Sequence, residues 1–173
     1  MKAKIIIKVL TEGCMPKIIN EGEWIDLIAA EDVEIDAPQC GTAYKLEGKQ
    51  YRDVEIPVKY IPLGVAMKLP DGYEAIVAPR SSTPGKKRVF EANSIGVIDN
   101  SYSGNDDQWC LIASPLSKAY IKKGDKVCQF RIQLSQKATF WQKLKWLFSS
   151  GIELIEVDNL SDNNRGGFGT TGA

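Results

Sequence analysis

The stretch Val65-Ala66-Met67-Lys68-Leu69-Pro70-Asp71-Gly72-Tyr73-Glu74-Ala75-Ile76-Val77-Ala78 decides the fold class, because two apolar, strand-length runs flank a Pro-Asp-Gly turn. Proline presets φ and glycine accepts positive φ, so the segment reads as a β-hairpin. The same punctuation recurs around it at Pro57, Pro62-Leu63-Gly64, Pro79 and Pro84-Gly85. It predicts separate strands over residues 58–61, 65–69 and 73–78. No amphipathic helical pattern of about ten residues intervenes, and short strands at this spacing predict an all-β sandwich or barrel.

Outward from this core, residues 2–10 are rich in β-branched side chains and predict a first strand. Asp26 lies between apolar neighbours, and Val33-Glu34-Ile35 alternates as a short strand. Residues 36–53 are polar and predict an extra hairpin turning at Glu47-Gly48, outside the core. Residues 109–113 and 126–134 are further strands, the second alternating behind a Lys123-Gly124-Asp125 turn, and residues 152–157 close the set. A helical period occurs once: apolar residues at 140, 141, 144, 147 and 148 form one amphipathic stripe ended by Ser149-Ser150-Gly151. It is expected to pack on the barrel or another subunit; the alternative is docking to a partner or membrane surface.

The charge balance is even, with Lys+Arg and Asp+Glu both 22 in 173 residues, which argues against a nucleic-acid or membrane-surface protein. The length suits one domain. Cys14, Cys40, Cys110 and Cys128 form no CxxC pair, and the absence of histidine removes the usual partner for a zinc site. The apolar start is too short and too charged for a signal peptide, and no run approaches a membrane span. A cytoplasmic protein with reduced thiols is expected.

The chemistry gathers in Gly96-Val97-Ile98-Asp99-Asn100-Ser101-Tyr102-Ser103-Gly104. Val97 and Ile98 favour a strand, Asn100, Ser101 and Gly104 favour a hairpin-like reversal, and Asp99 falls at the strand end. In a chain without histidine, such a carboxylate suits a general base acting on water. On local sequence alone, an Asx turn beside a tyrosine covering the core edge is the favoured reading. The glycine-rich tail from 158 to 173 holds Arg165, Phe168, Thr170 and Thr171. It reads either as a frayed end or as a lid, in which amides and hydroxyls donate to phosphate, Arg165 pairs with its charge and Phe168 stacks on a ring.

Five stretches in order resemble the motifs of the trimeric dUTP pyrophosphatases (dUTPases). They are Gly22–Leu27 with Ala29–Asp32, Ala78-Pro79-Arg80-Ser81-Ser82, Asn93–Gly104, Gly124–Gln129 and Arg165–Gly172. The resemblance implies a β-clip or jelly-roll-like barrel over residues 1–157, a flexible arm over 158–173, and a homotrimer with active sites at subunit interfaces. It implies hydrolysis of dUTP to dUMP and pyrophosphate with Mg2+, by attack of an Asp99-activated water on the α-phosphate.

By the same resemblance, Asn93 and the backbone of Val97 and Ile98 read uracil, and Tyr102 lies under the deoxyribose. Arg80, Ser81, Ser82 and Gln129 hold phosphates. Arg165, Phe168, Gly169, Thr170 and Thr171 form the closing arm, and Asp26 supports magnesium through water. Residues 36–53, the 103–109 connection and residues 139–151 are additions. Two rival readings are a dCTP deaminase of the same fold, which needs a glutamate that the run from Asp99 to Ile112 lacks, and a non-catalytic nucleotide-sensing protein.

Overall fold

The computed structural model describes residues 2–19, 22–162 and 164–167. In chain order its elements are β1 (Ala3–Val9), β2 (Ile25–Ile28), β3 (Val33–Ile35), β4 (Gln39–Leu46), β5 (Lys49–Glu55), β6 (Lys59–Lys68), β7 (Tyr73–Pro79), α1 (Thr83–Lys87), β8 (Val89–Glu91), β9 (Gly96–Ile98), β10 (Gln108–Pro115), β11 (Ala119–Ile121), β12 (Lys126–Leu134), α2 (Phe140–Leu147) and β13 (Ile152–Glu156). The all-β expectation holds. Of these, α1, β8 and β11 were not anticipated, being too short to carry a period of their own. Among the described residues, no helix is long and apolar enough to cross a membrane.

Two sheets enclose the core, one ordered β13-β1-β6-β10-β8 and the other β2-β12-β7-β9. Ile5, Ile7, Val65, Met67 and Leu111 of the first are buried with Leu27, Ala75, Val77 and Phe130 of the second. Trp109 meets Phe130 edge-on, with ring centroids 5.3 Å apart, a geometry that aromatic quadrupoles favour.

The Pro-Asp-Gly segment turns as expected, with Gly72 at φ +84° and the Tyr73 amide donating to Pro70 O at 3.1 Å. It is not a hairpin. β6 is paired on both edges, by β1 and β10, so the chain leaves the turn and enters the opposite sheet as β7. The same correction applies to residues 96–104: β9 pairs with β7, and after the turn the chain continues as β10 in the other sheet. Turn chemistry fixes a reversal; free sheet edges decide the pairing. The expected hairpin at Glu47-Gly48 does form, with both residues at positive φ, and β4 and β5 pair only with each other among the described elements.

Residues 58–61 and 65–69, expected as two strands, are one continuous β6. Pro62 and Gly64 sit inside it at a β-bulge, where the pairing jumps from Gln108 opposite Ala66 to Cys110 opposite Pro62. α2 is closed by a capping box between Thr139 and Gln142, yet none of its residues is buried in the chain. Phe140 and Trp141 are each 70% exposed, so the stripe does not pack on its own barrel. Gln142 meets the β6–β7 turn, where it occupies the space that a side chain on Gly72 would fill, and Trp146 and Leu147 line a surface cleft with Tyr73, Ile132 and Ile152.

Gly64 is the tightest point of the bulge. Its φ is +68°, and an added Cβ would lie 2.5 Å from the Sγ of buried Cys14. Gly64→Ala is expected to destabilise the fold by about 2–3 kcal/mol through overpacking and a disfavoured backbone, read as a lower urea midpoint at unchanged slope. An unchanged midpoint would contradict the bulge.

Candidate active site

β9 ends the four-stranded sheet, so one of its backbone edges pairs with β7 while the other has no strand partner. Beside it lies a cavity of about 260 Å³ whose lining includes Asn93, Val97, Ile98, Asp99, Tyr102 and Arg165. Six of the residues expected from sequence therefore meet in one place. Glu91, Trp109, Gly166 and Gly167 line the same cavity.

Asp99 follows the last residue of β9, and its turn closes through the Tyr102 amide donating to Asp99 O at 3.0 Å. The Asn100 side chain fixes that turn to the β6–β7 reversal, donating to Leu69 O at 2.9 Å and Pro70 O at 2.8 Å. Sequence reading assigned Asn100 only a turn preference. Tyr102 is half-buried and its hydroxyl donates to Gln108 O at 2.9 Å, which sets the ring plane. Burial, reinforced by Asp107 and Cys110, pushes its pKa up to about 12, so the phenol stays neutral. Arg165 Nη1 lies 2.8 Å from Asp99 Oδ2, and Gly167 packs so closely on the Tyr102 ring that an added Cβ would lie 3.1 Å from it. Asn93 donates to Ile95 O at 3.2 Å within its own loop.

The phosphate-loop residues gather elsewhere. Ser82 precedes α1 without a side-chain capping bond, and α1 is tied to β12 by the buried Thr83 hydroxyl donating to Val127 O at 2.8 Å. Arg80 Nε lies 2.9 Å from Asp26 Oδ1, and Lys126 Nζ lies 2.9 Å from Asp26 Oδ2. Gln129 stands opposite Asp26 in the β12–β2 pairing. None of Arg80, Ser81, Ser82, Gln129 and Asp26 lines the cavity beside β9. β2 is three strands from β9, a lateral separation of about 14 Å at ordinary strand spacing.

Asp26, expected to support magnesium through water, sits between two cations in this arrangement. Both its oxygens are neutralised by cations, and no cluster of three or more His, Cys, Asp or Glu side chains that could hold a metal ion occurs among the described residues. Phe168, Gly169, Thr170 and Thr171 lie outside the described residues.

Glu91, unnoticed in the sequence, is 6% exposed and pairs across β8–β10 with Ala113. Among the described residues, Glu91 Oε2 and Trp109 Nε1 are the buried side-chain polar atoms without a hydrogen-bond partner. Burial pushes the Glu91 carboxyl from 4.5 to about 7, with the Gly96 amide opposing. A carboxyl raised on folding holds its proton better in the folded chain. Its contribution is therefore full below about pH 4.5 and is lost as pH rises through about 7. Between pH 5 and 8 this is expected to cost the wild type about 2–3 kcal/mol that Glu91→Gln does not lose, read from urea unfolding at each pH. Parallel pH profiles for the two proteins would contradict it.

Residues 50–145 match the dUTPase family model. The chain is 44% identical over 154 residues to the SPbeta prophage-derived deoxyuridine 5'-triphosphate nucleotidohydrolase YosS of Bacillus subtilis (strain 168), covering 89% of this chain and 87% of that protein. It is 35% identical over 173 residues to the deoxyuridine 5'-triphosphate nucleotidohydrolase of Hydrogenobaculum sp. (strain Y04AAS1), covering 98% of each. The fold is similar to that of the dUTPase from Streptococcus mutans, with a TM-score of 0.61 at 22% identity over 77% of this chain and 98% of that one. A mutant dUTPase from phage phi11 of S. aureus, described with a structural Mg(II) ion, has a TM-score of 0.59 at 17% identity over 79% and 94% of the two chains. With the motifs, the cleft and the family match in agreement, this chain belongs to the dUTPase family.

Proposed function

We propose that the chain is a dUTP diphosphatase that converts dUTP to dUMP and pyrophosphate, with Asp99 as its general base. The observation that carries this reading is the cleft beside β9, where an unpaired strand edge, a neutral tyrosine ring and a carboxylate meet in a volume of about 260 Å³. A strand edge presents amides and carbonyls in a row, as a pyrimidine edge requires, and Asn93 extends that row. A base with the wrong donor pattern leaves buried groups unpaired and is rejected. Tyr102, held by Gln108 O, lies under the sugar and leaves no room for a 2′-hydroxyl.

Asp99 takes a proton from water as the water oxygen attacks the α-phosphorus and the bond to the bridging oxygen of the β-phosphate breaks, with that oxygen leaving on pyrophosphate. Arg165, 2.8 Å from Asp99, is placed to pair with phosphate charge. A magnesium ion entering with the triphosphate supplies charge neutralisation. In this reading Asp26 orients Arg80 and Lys126.

The cation cluster around Arg80 completes the site of another copy, together with Ser81, Ser82 and Gln129. That makes the working unit a homotrimer with shared sites. The outer face of the five-stranded sheet supports such a partner, since Tyr60 of β6 lies opposite Ile112 of β10, with exposed Phe90 on neighbouring β8 and exposed Val58 just before β6. An outward sheet face is ordinarily polar, and an apolar one marks a contact surface.

One observation favours a second reading, deamination of dCTP, because Glu91 lines the cleft and titrates near neutrality. A panel of dUTP, dCTP, dTTP and UTP scored for pyrophosphate and ammonia separates the two. Pyrophosphate from dUTP alone is expected, and ammonia from dCTP would establish the rival. Asp99→Asn is expected to lower kcat about 10³-fold while dUTP still binds. Wild-type turnover in that variant would remove Asp99 from the base role.

A further inference from the structure

β8 belongs to the five-stranded sheet and β9 to the four-stranded one, so the chain changes sheets between Glu91 and Gly96, both of which line the cleft. The Ala92 amide donates to Ile112 O at 2.8 Å and ties the start of this loop to β10. Short local bonds shape the rest: the Ser94 amide donates to Glu91 O at 3.2 Å and the Ile95 amide to Asn93 O at 2.7 Å, with Ser94 at φ +65°. None of these bonds reaches β9. The Glu91 side chain does. Buried opposite Ala113 of β10, its carboxyl takes the Gly96 amide, the first of β9. The approach is close, since an added Cβ on Gly96 would lie 3.0 Å from Glu91 Oε1 and 3.1 Å from Val77 Cβ.

We infer that Glu91 is a positioning residue for the base-reading wall of the cleft: anchored in one sheet, its carboxyl holds the first residue of β9 in the other and so fixes Asn93, Val97 and Ile98 for the base. What the wall binds rests on the proposed dUTPase reading; how the wall is held rests on the loop geometry alone.

The neutral acid suits that place and the anion does not. Oε2 is buried without a hydrogen-bond partner. A neutral carboxyl tolerates one unbonded oxygen, whereas an unpaired buried carboxylate must draw in water. The groups around it among the described residues bring no net positive charge. Cys110 of β10 and Cys128 of β12 are thiols that burial keeps protonated, Tyr102 is neutral, β7 presents Val77, and Asp99 and Arg165 in the cleft lining pair with each other. Burial outweighs the Gly96 amide and pushes the carboxyl up to about 7. The wall is therefore held while Glu91 keeps its proton and opens to water as pH rises through about 7. Asp99 is held separately, through Asn100, so the effect falls on binding rather than on the chemical step.

The test compares full-length wild type, Glu91→Gln and Glu91→Ala by amide hydrogen exchange at Gly96, and by KM and kcat for dUTP between pH 6 and 8. Glutamine keeps an oxygen for the Gly96 amide and donates through N–H as the acid does through O–H. All three proteins share the titration of the substrate, so differences between their profiles belong to residue 91. The wild-type KM is expected to rise about tenfold from pH 6 to 8, as the neutral fraction falls to roughly a tenth, with no matching fall in kcat. Glu91→Gln is expected to hold the pH 6 KM of the wild type across the range and to keep Gly96 protected. Glu91→Ala is expected to raise KM about tenfold at pH 6 with kcat within about twofold. In that variant Gly96 exchanges about tenfold faster while the Leu111 and Phe130 amides keep their rates.

A KM for Glu91→Gln that climbs with pH in parallel with the wild type, or wild-type exchange at Gly96 in Glu91→Ala, would overturn the positioning role. So would a loss confined to kcat, which would put Glu91 in the chemical step. A wild type that does not hydrolyse dUTP would sink the functional reading, while exchange at Gly96 still decides whether Glu91 holds the wall.

Discussion

The place of Asp99 rests on one side-chain amide. Asn100 reaches across from the end of β9 and donates to two successive carbonyls, Leu69 O and Pro70 O, where the chain passes from one sheet to the other. Both bonds exist only because the Pro-Asp-Gly turn bends those carbonyls outward from β6, whose other residues spend their backbone on β1 and β10. The carboxylate next to Asn100 therefore inherits the rigidity of the sandwich. Tyr102 is fixed in the same way by Gln108 O, at the start of the next strand. The base and the ring sit on a loop, but each is held by a side chain anchored to a strand end.

The second organising constraint is that β9 is short and terminal. A three-residue strand at the sheet edge contributes little to stability, but it leaves a backbone edge free to pair with something planar. Residues 165–167 lie at this edge, with Gly167 against Tyr102 and Arg165 against Asp99. The cations that a triphosphate also needs do not line this cleft and are tied to Asp26 of β2, at the opposite edge of the sheet. In the proposed reading, one chain holds the base-reading half of one site and the phosphate-reading half of another.

Much of this was legible in the residues, for identifiable reasons. Strands such as β7 and β12 declare themselves by alternation, and the Thr139–Gln142 capping box by its spacing. Asp99, Tyr102 and Arg165 were legible through the resemblance, and the structure gathers them in one cleft. Pairing was not legible. The sequence around Pro70 and around Asn100 encodes a reversal, but whether the next strand stays in the same sheet depends on edges already taken by distant segments. Glu91 and the contacts of Asn100 and Asp107 escaped notice because each acts through partners far along the chain or through burial, neither of which leaves a local pattern. The partners of Asp26 were illegible for the same reason: its environment of Arg80 and Lys126 is assembled from β7's end and β12.

The central claim is that each site joins the Asp99 cleft of one copy to the Arg80 cluster of another. Its most direct measurement is complementation. Arg80→Ala and Asp99→Asn chains are unfolded together, refolded as a 1:1 mixture and assayed with dUTP. If the halves come from different copies, each variant alone is nearly inactive and the mixture regains roughly a quarter of wild-type turnover, the fraction of interfaces that combine an intact Asp99 with an intact Arg80. A mixture of assembled, folded protein that stays as inactive as its components would contradict the shared site and return both halves to a single chain.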